Sequence, residues 1–231
     1  SDPARAIQTR AERDGDDWVI NGSKLWISGA DRADYGLLFA RTGGPGRAGV
    51  TCFIVETQWP GFNVRRVVHT LRQALHATEI QIENLRVPNE NILGQEGGGF
   101  AIANDRLTRQ RIPYAAACLG PAFKAHEMAI EYAQIRETFG APLSSRQGIQ
   151  WMLVENEVDL RTARWLVLDA AAKADRGDAF RTEAAICKLV ASEAAGRVID
   201  RSMQIHGGLG VAKDLPFERW YREIRIRRIG E

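Results

Sequence analysis

The sequence predicts an α+β chain: an antiparallel β-sandwich or barrel, then a bundle of long helices of the four-helix type. Two observations carry this. Apolar residues recur with a period of two up to about residue 88 and with a helical period from Phe100 onward. Between the two regimes lie Val87-Pro88, Gly94 and the run Gly97-Gly98-Gly99, a clear break in the chain. The expected domains are residues 1–93, all β, and residues 94–231, all helical.

The first strands are expected at Ile7 to Glu12 and Asp17 to Ile20. Asn21-Gly22, the strongest short hairpin signal, should turn the chain back into Ser23 to Ser28. Further strands are expected at Tyr35 to Arg41, Val50 to Glu56, Phe62 to Val68 and Thr78 to Leu85, with Gly, Pro, Asn and Asp between them. A first helix should run from Phe100 to about Arg136, with a possible interruption at Pro113, which lacks a backbone donor. A second spans roughly Ile149 to Asp175, its apolar face marked by Ile149, Met152, Leu153 and Leu160, and ends at Arg176-Gly177-Asp178. A third, from about Ala179 to Ile205, stops at Gly207-Gly208. A fourth starts near Asp214 as N-cap, with Pro216 in its first turn.

Composition narrows the function. Of 231 residues, 45% are hydrophobic and 26% charged, enough for a real core in an ordinary soluble chain. A net charge of +2 gives no case for nucleic acid or an anionic membrane as main partner. Cys52, Cys118 and Cys187 are isolated in apolar runs, so neither a disulfide framework nor a metal site is expected, and a reducing compartment is the default. No apolar run reaches membrane-spanning length. Ser1-Asp2-Pro3 lacks the form of a signal peptide and reads as the middle of a longer chain.

Three segments stand out: Lys24-Leu25-Trp26-Ile27-Ser28; Arg136-Glu137-Thr138-Phe139-Gly140-Ala141-Pro142-Leu143, followed by Gln147; and Gln204-Ile205-His206-Gly207-Gly208-Leu209-Gly210. Trp26 and Ser28 have the same parity on a strand, so an indole and a hydroxyl should share a face. Read alone, Trp26 is more often a core tryptophan. Arg136 sits at a helix end, where a guanidinium suits either a pyrophosphate or the helix dipole. The glycine-rich turn admits close approach of a ligand, or simply caps a helix. It is no dinucleotide fingerprint, because no strand precedes it. His206 reads as a packing residue at a helix end.

In this order and spacing the three segments resemble the acyl-CoA dehydrogenase family, and the resemblance runs from Ser1 to Glu231. It implies an FAD-dependent oxidoreductase that removes hydrogen from an acyl-CoA thioester. Residues 1–93 would be its flavin-binding β-domain. Residues 94–231 would be its C-terminal helical domain, with an N-terminal helical domain expected before Ser1 and further helices after Glu231. By the same resemblance, Trp26 lies against the flavin and Ser28 bonds near its N5. Arg136, Thr138, Phe139, Gln147, Gln204, Gly207 and Gly208 would contact the FAD of a neighbouring subunit, which implies a homodimer or homotetramer. Arg111 matches the arginine that contacts CoA. An electron-transfer flavoprotein is the implied electron acceptor. The implied compartment is the cytoplasm of a bacterium or the mitochondrial matrix of a eukaryote.

The reaction needs a carboxylate to take the α-proton. By resemblance Glu231 is that base. The alternative family position, Gln110, cannot take a proton. Gly230 is expected to leave room for a branched or bulky acyl chain. Two other readings stay open on the sequence: a flavin oxidase or monooxygenase similar to nitroalkane oxidases, and a non-catalytic nucleic-acid-binding relative using Arg222, Arg225, Arg227 and Arg228. That cluster is more often a solvated face or a subunit contact.

Overall fold

In the computed structural model, residues 4–72 and 74–230 are described. The chain divides into two units, one ending at Arg106 and the other starting at Leu107.

The first unit holds strands β1 (Arg10–Asp14), β2 (Asp17–Ser28), β3 (Tyr35–Arg41), β4 (Val50–Glu56), β5 (Phe62–Val68) and β6 (Ala77–Pro88). They form one sheet in the order β4-β3-β1-β2-β6-β5. Every pairing is antiparallel except that of β1 with β3, which meet in parallel at Arg10 and Arg41. Alternation buries Ile80 and Ile82 on β6 and Leu38 and Ala40 on β3, as the period of two requires. Trp18 lies edge-on to Phe53 with ring centroids 5.7 Å apart, and its indole N–H donates to Asn89 Oδ1 at 3.0 Å. The core indole is therefore fully satisfied.

Asn21-Gly22 is not a turn, and this corrects the sequence expectation. β2 runs through it unbroken, and the hairpin is made by Gly15-Asp16, between the paired residues Asp14 and Asp17. The Asn21 side chain is used across the sheet instead. Its Oδ1 accepts the Asn84 N–H at 2.8 Å, and its amide reaches Asn84 Oδ1 at 3.3 Å. This pins a bulge in which Glu83 and Asn84 together oppose Asn21. Gly22 has φ +146, and a Cβ there would come within 2.7 Å of Thr9 Cα. The glycine is required for close strand approach rather than for a turn.

The second unit is built on α1 (Gly99–Ile135), which begins in the first unit. It continues with a two-stranded hairpin of β7 (Glu137–Thr138) and β8 (Ala141–Pro142), then α2 (Gln147–Arg176), α3 (Arg181–His206), the single turn α4 (Gly208–Val211) and α5 (Phe217–Arg227). α1 passes through Pro113 and Pro121 without a break. The carbonyls that lose a donor are those of Arg109 and Ala117, both exposed residues, so water can satisfy them. α2 ends as expected, with Gly177 left-handed and the N–H groups of Gly177 and Asp178 bonded back to Ala174 and Lys173. Asp214 is not the cap of α5. Pro216 holds that position, and the helix starts at Phe217, whose ring is fully buried.

Small residues let the helices approach: Ala115, Ala122, Ala125, Ala163, Ala191, Ala194 and Ala195 share one core with Leu160, Val198 and Phe217. α2 and α3 are also tied by Asp159, which accepts from Arg197 at 2.6 and 3.1 Å and from Arg201 at 2.8 Å. One face of α2 stays uncovered. Trp151, Val154, Val158, Trp165 and Leu168, from 45% to 71% exposed, follow the three- and four-residue spacing of a single stripe. Among the described residues no helix is long and apolar enough to cross a membrane.

Burial opposes the charge on Asp159, but the hydrogen bonds from Arg197 and Arg201 outweigh it and hold the carboxyl below the usual aspartate range. A lowered folded-state pKa stabilises above the unfolded value of about 4, and that contribution is lost as pH falls through the folded value. Asp159→Asn is therefore expected to cost about 1–3 kcal/mol at neutral pH by leaving two guanidinium groups short of an acceptor. Denaturant melts of the variant and the wild-type protein should converge as the pH is lowered below 4. A gap independent of pH would assign the loss to packing.

Candidate functional site

At the end of β2 the alternation fails. Trp26 has φ +67 and is skipped in the pairing with β6, where Leu25 and Ile27 face the consecutive residues Glu79 and Thr78. A left-handed tryptophan is a true backbone outlier, of the kind that collects at functional sites. The bulge means parity does not place Trp26 and Ser28; both are nevertheless exposed, Trp26 by 64%. Trp26 is thus not a core residue. Leu25 and Ile27 are also exposed, making an apolar run beside the Ser28 hydroxyl. Lys24, which opens the motif, is half-buried and donates to the Phe39 carbonyl at 2.7 Å, and desolvation lowers its pKa to about 8.

In the second unit, the residues after α1 form a tight hairpin rather than a simple helix end. Thr138 pairs with Ala141, and the two loop residues, Phe139 and Gly140, have φ +50 and +74. This is the doubly left-handed pattern of a type I′ turn. It lifts the Phe139 ring to 99% exposure. The hairpin is braced from below: Arg146 donates to the Thr138 carbonyl at 2.6 Å, and the Leu143 N–H to the Arg136 carbonyl at 2.8 Å. Arg136 and Gln147 are both exposed.

The third motif closes α3. Gln204, Gly207 and Gly208 are exposed, with Gly207 at φ +59, while Ile205 and His206 are buried. His206 stacks on Tyr132 at 4.5 Å and touches Phe217 at 4.5 Å, and its Nδ1 lies 2.7 Å from the Ser202 carbonyl. It packs, as its sequence position suggested. Ile205 shares a small core with Ala129 and Ala133 of α1, flanked by Leu143, Ile149 and Leu153. These contacts bring the end of α1, the hairpin, the start of α2 and the end of α3 together. Arg136, Thr138, Phe139, Gln147, Gln204, Gly207 and Gly208 therefore cluster at one end of the helical unit.

Arg111 belongs to a different place on the same unit. It lies one helical turn before Tyr114 on α1, and the Tyr114 hydroxyl abuts Gly230: a Cβ on Gly230 would lie 2.6 Å from it. Tyr114, a residue the sequence reading did not single out, thus borders Gly230. Its position three residues after Arg111, on the same helix face, was the available signal. Glu231 lies outside the described residues. The arginine cluster near the end of α5 is largely engaged within the unit: Arg222 pairs with Glu218 at 2.7 Å, Arg228 with Glu193 at 3.0 Å, and Arg227 covers the Tyr114 ring at 4.4 Å.

Comparison with known proteins agrees with both halves. The model of the acyl-CoA dehydrogenase C-terminal domain matches residues 97–231, and that of the acyl-CoA dehydrogenase middle domain matches residues 1–85. The NADH-dependent acryloyl-CoA reductase of Anaerotignum propionicum is 40% identical over 99% of this chain and 59% of its own length. The mitochondrial short-chain specific acyl-CoA dehydrogenase of Rattus norvegicus is 38% identical over 99% of this chain and 56% of its own. The structure of butyryl-CoA dehydrogenase from Megasphaera elsdenii superposes with a TM-score of 0.92 and 37% identity, over 97% of this chain and 59% of that one. The chain thus spans less than two thirds of the length of these relatives. With both domain models matching in order, the chain belongs to the acyl-CoA dehydrogenase family.

Proposed function

We propose that the protein works as an FAD-dependent acyl-CoA dehydrogenase on short acyl-CoA thioesters. Residues 1–93 act as its flavin-binding β-domain and residues 94–231 as its helical domain. The observation that carries this reading is the gathering of Arg136, Thr138, Phe139, Gln147, Gln204, Gly207 and Gly208 at one end of the helical unit. The chemistry of that set fits an adenine dinucleotide: a guanidinium for the pyrophosphate, an exposed aromatic ring, two side-chain amides and a turn without Cβ atoms. The strained, exposed Trp26 beside Ser28 fits the flat ring system of the same cofactor, with a hydroxyl available to a ring nitrogen.

When bound, the flavin supplies an acceptor for the hydride that leaves the β-carbon. Arg111 holds the CoA moiety, and Glu231 takes the α-proton. The electrons then pass to an electron-transfer flavoprotein. Reduction of an unsaturated thioester is the same step reversed, and the kinship with an acryloyl-CoA reductase makes that direction worth testing with NADH. The compartment that suits this chemistry is a bacterial cytoplasm or a mitochondrial matrix.

The same reading calls for a homodimer or homotetramer, in which the Arg136 end of one subunit serves the flavin of another. The uncovered α2 stripe supports self-association, because large apolar side chains exposed together on one face mark interaction sites.

Three outcomes are expected in the full-length protein. Glu231→Gln should keep its FAD but lose flavin bleaching by butyryl-CoA in stopped flow, by on the order of a hundred- to ten-thousand-fold. Bleaching at the wild-type rate would remove Glu231 as the base. Arg136→Ala should lose FAD on gel filtration, and full retention would refute its role. Trp165→Glu should lower the mass seen by light scattering, and an unchanged oligomer would clear the α2 stripe of that function.

A further inference from the structure

The first part of β2 has a neighbour on each side, β1 and β6, but β1 begins only at Arg10, which faces Asn21. Beyond Asn21, β2 runs on from Gly22 to Ser28 with the β6 ladder on one side and no strand paired on the other. In the sheet order the next strand on that side is β3. Two residues cross the gap. Thr9, which is buried, donates through its hydroxyl to the Ser23 carbonyl at 3.1 Å, and its own carbonyl accepts the Arg41 N–H at 2.8 Å. One residue farther along β2, Lys24 reaches over to β3 and donates to the Phe39 carbonyl at 2.7 Å.

The Lys24 contact is made at a cost. The side chain is half-buried, desolvation lowers its pKa, and among the described residues no carboxylate pairs with it. An apolar side chain of similar length would carry no such penalty. What the contact supplies is placement. Two residues on, Trp26 sits at φ +67, in a bulge where Leu25 and Ile27 face the consecutive residues Glu79 and Thr78. A conformation of that kind persists only where the flanking chain is fixed from several directions. On the β6 side, the Thr78 hydroxyl donates to the Ile27 carbonyl at 2.9 Å, and the Gly29 N–H donates to the His76 carbonyl at 3.0 Å. On the open side, the described contact nearest the bulge is that of Lys24 with Phe39.

We infer that Lys24 is a positioning residue: by tying the open side of β2 to β3, it holds the bulge that presents the Trp26 indole and the Ser28 hydroxyl. It acts through those two residues and not on the cofactor itself. This rests on the flavoprotein reading above and deepens it. The surface offered to the flat ring system is set by a cation whose hydrogen bond is spent on a neighbouring strand.

The test uses the full-length protein, prepared with and without FAD. Lys24→Met keeps a long side chain and removes the donor, whereas Lys24→Arg keeps both a cation and a donor. Two quantities are read: the affinity for FAD, from the change in flavin fluorescence on binding, and hydrogen exchange by mass spectrometry in peptides covering residues 24–30 of the flavin-free protein. Lys24→Met should weaken FAD binding by about tenfold or more, the scale of one charge-assisted hydrogen bond. It should also speed exchange in those peptides, while β1 and β4 keep wild-type protection. Lys24→Arg should recover most of both. Wild-type affinity and exchange in Lys24→Met overturn the inference. Faster exchange across the whole sheet with a lower Tm overturns it too, because Lys24 would then be a general support of the unit. So does a loss of affinity with unchanged exchange, which would mean that Lys24 acts on the cofactor directly. A wild-type protein that binds no FAD overturns the flavoprotein reading instead, and exchange in the flavin-free protein still decides whether Lys24 fixes the bulge.

Discussion

The arrangement of the helical unit depends on one aromatic column. Tyr132 near the end of α1 stacks on His206 at the end of α3 with planes 19° apart; His206 meets Phe217 at the start of α5, and Phe217 meets Trp220 edge-on at 5.9 Å. Each such pair contributes about 0.5–1.5 kcal/mol beyond its buried area. Position matters more than energy here. Three helix ends are joined at one point, and two of the proposed cofactor-binding segments, the hairpin after α1 and the turn after α3, leave from it. Burial keeps the imidazole pKa below its ordinary value, against the pull of the Ser202 carbonyl, so the ring stacks as a neutral plate.

What the sequence revealed follows from how local each signal is. β3, β4 and β5 fall where the alternation and flanking turn residues put them, and α2 and α3 end at the glycines that stop them. Asn21-Gly22 misled because its asparagine is committed to Asn84, 63 residues away, and no local pattern carries that commitment. For Trp26 and Ser28 the parity argument fails, because a bulge at Trp26 resets the alternation. The segment before Gly140 reads in the sequence as a helix end, and the doubly left-handed hairpin that lifts Phe139 shows only in the structure. Tyr114 follows Arg111 by one turn, but its contact with Gly230, at the far end of the chain, has no local signal.

Burial and chemistry divide neatly between motif residues. In the third motif, Ile205 and His206 point inward and hold the helix end, while Gln204, Gly207 and Gly208 stay exposed. In the second, Leu143 helps build the small core that supports the exposed Phe139. Residues that support and residues that present are interleaved in sequence, which explains why these segments read as motifs rather than as isolated residues.

The type I′ hairpin has a further implication. Holding a phenylalanine at φ +50, almost wholly in water, costs the folded chain free energy. The compensation is entropic and deferred. A two-residue loop braced by Arg146 has few alternative shapes, so a molecule that lands on Phe139 meets a ring already in place. The ordering that a longer, looser loop would undergo at the moment of encounter has here been completed during folding. The tip behaves as a fixed post, and recognition at it is expected to proceed without rearrangement of the backbone that carries it.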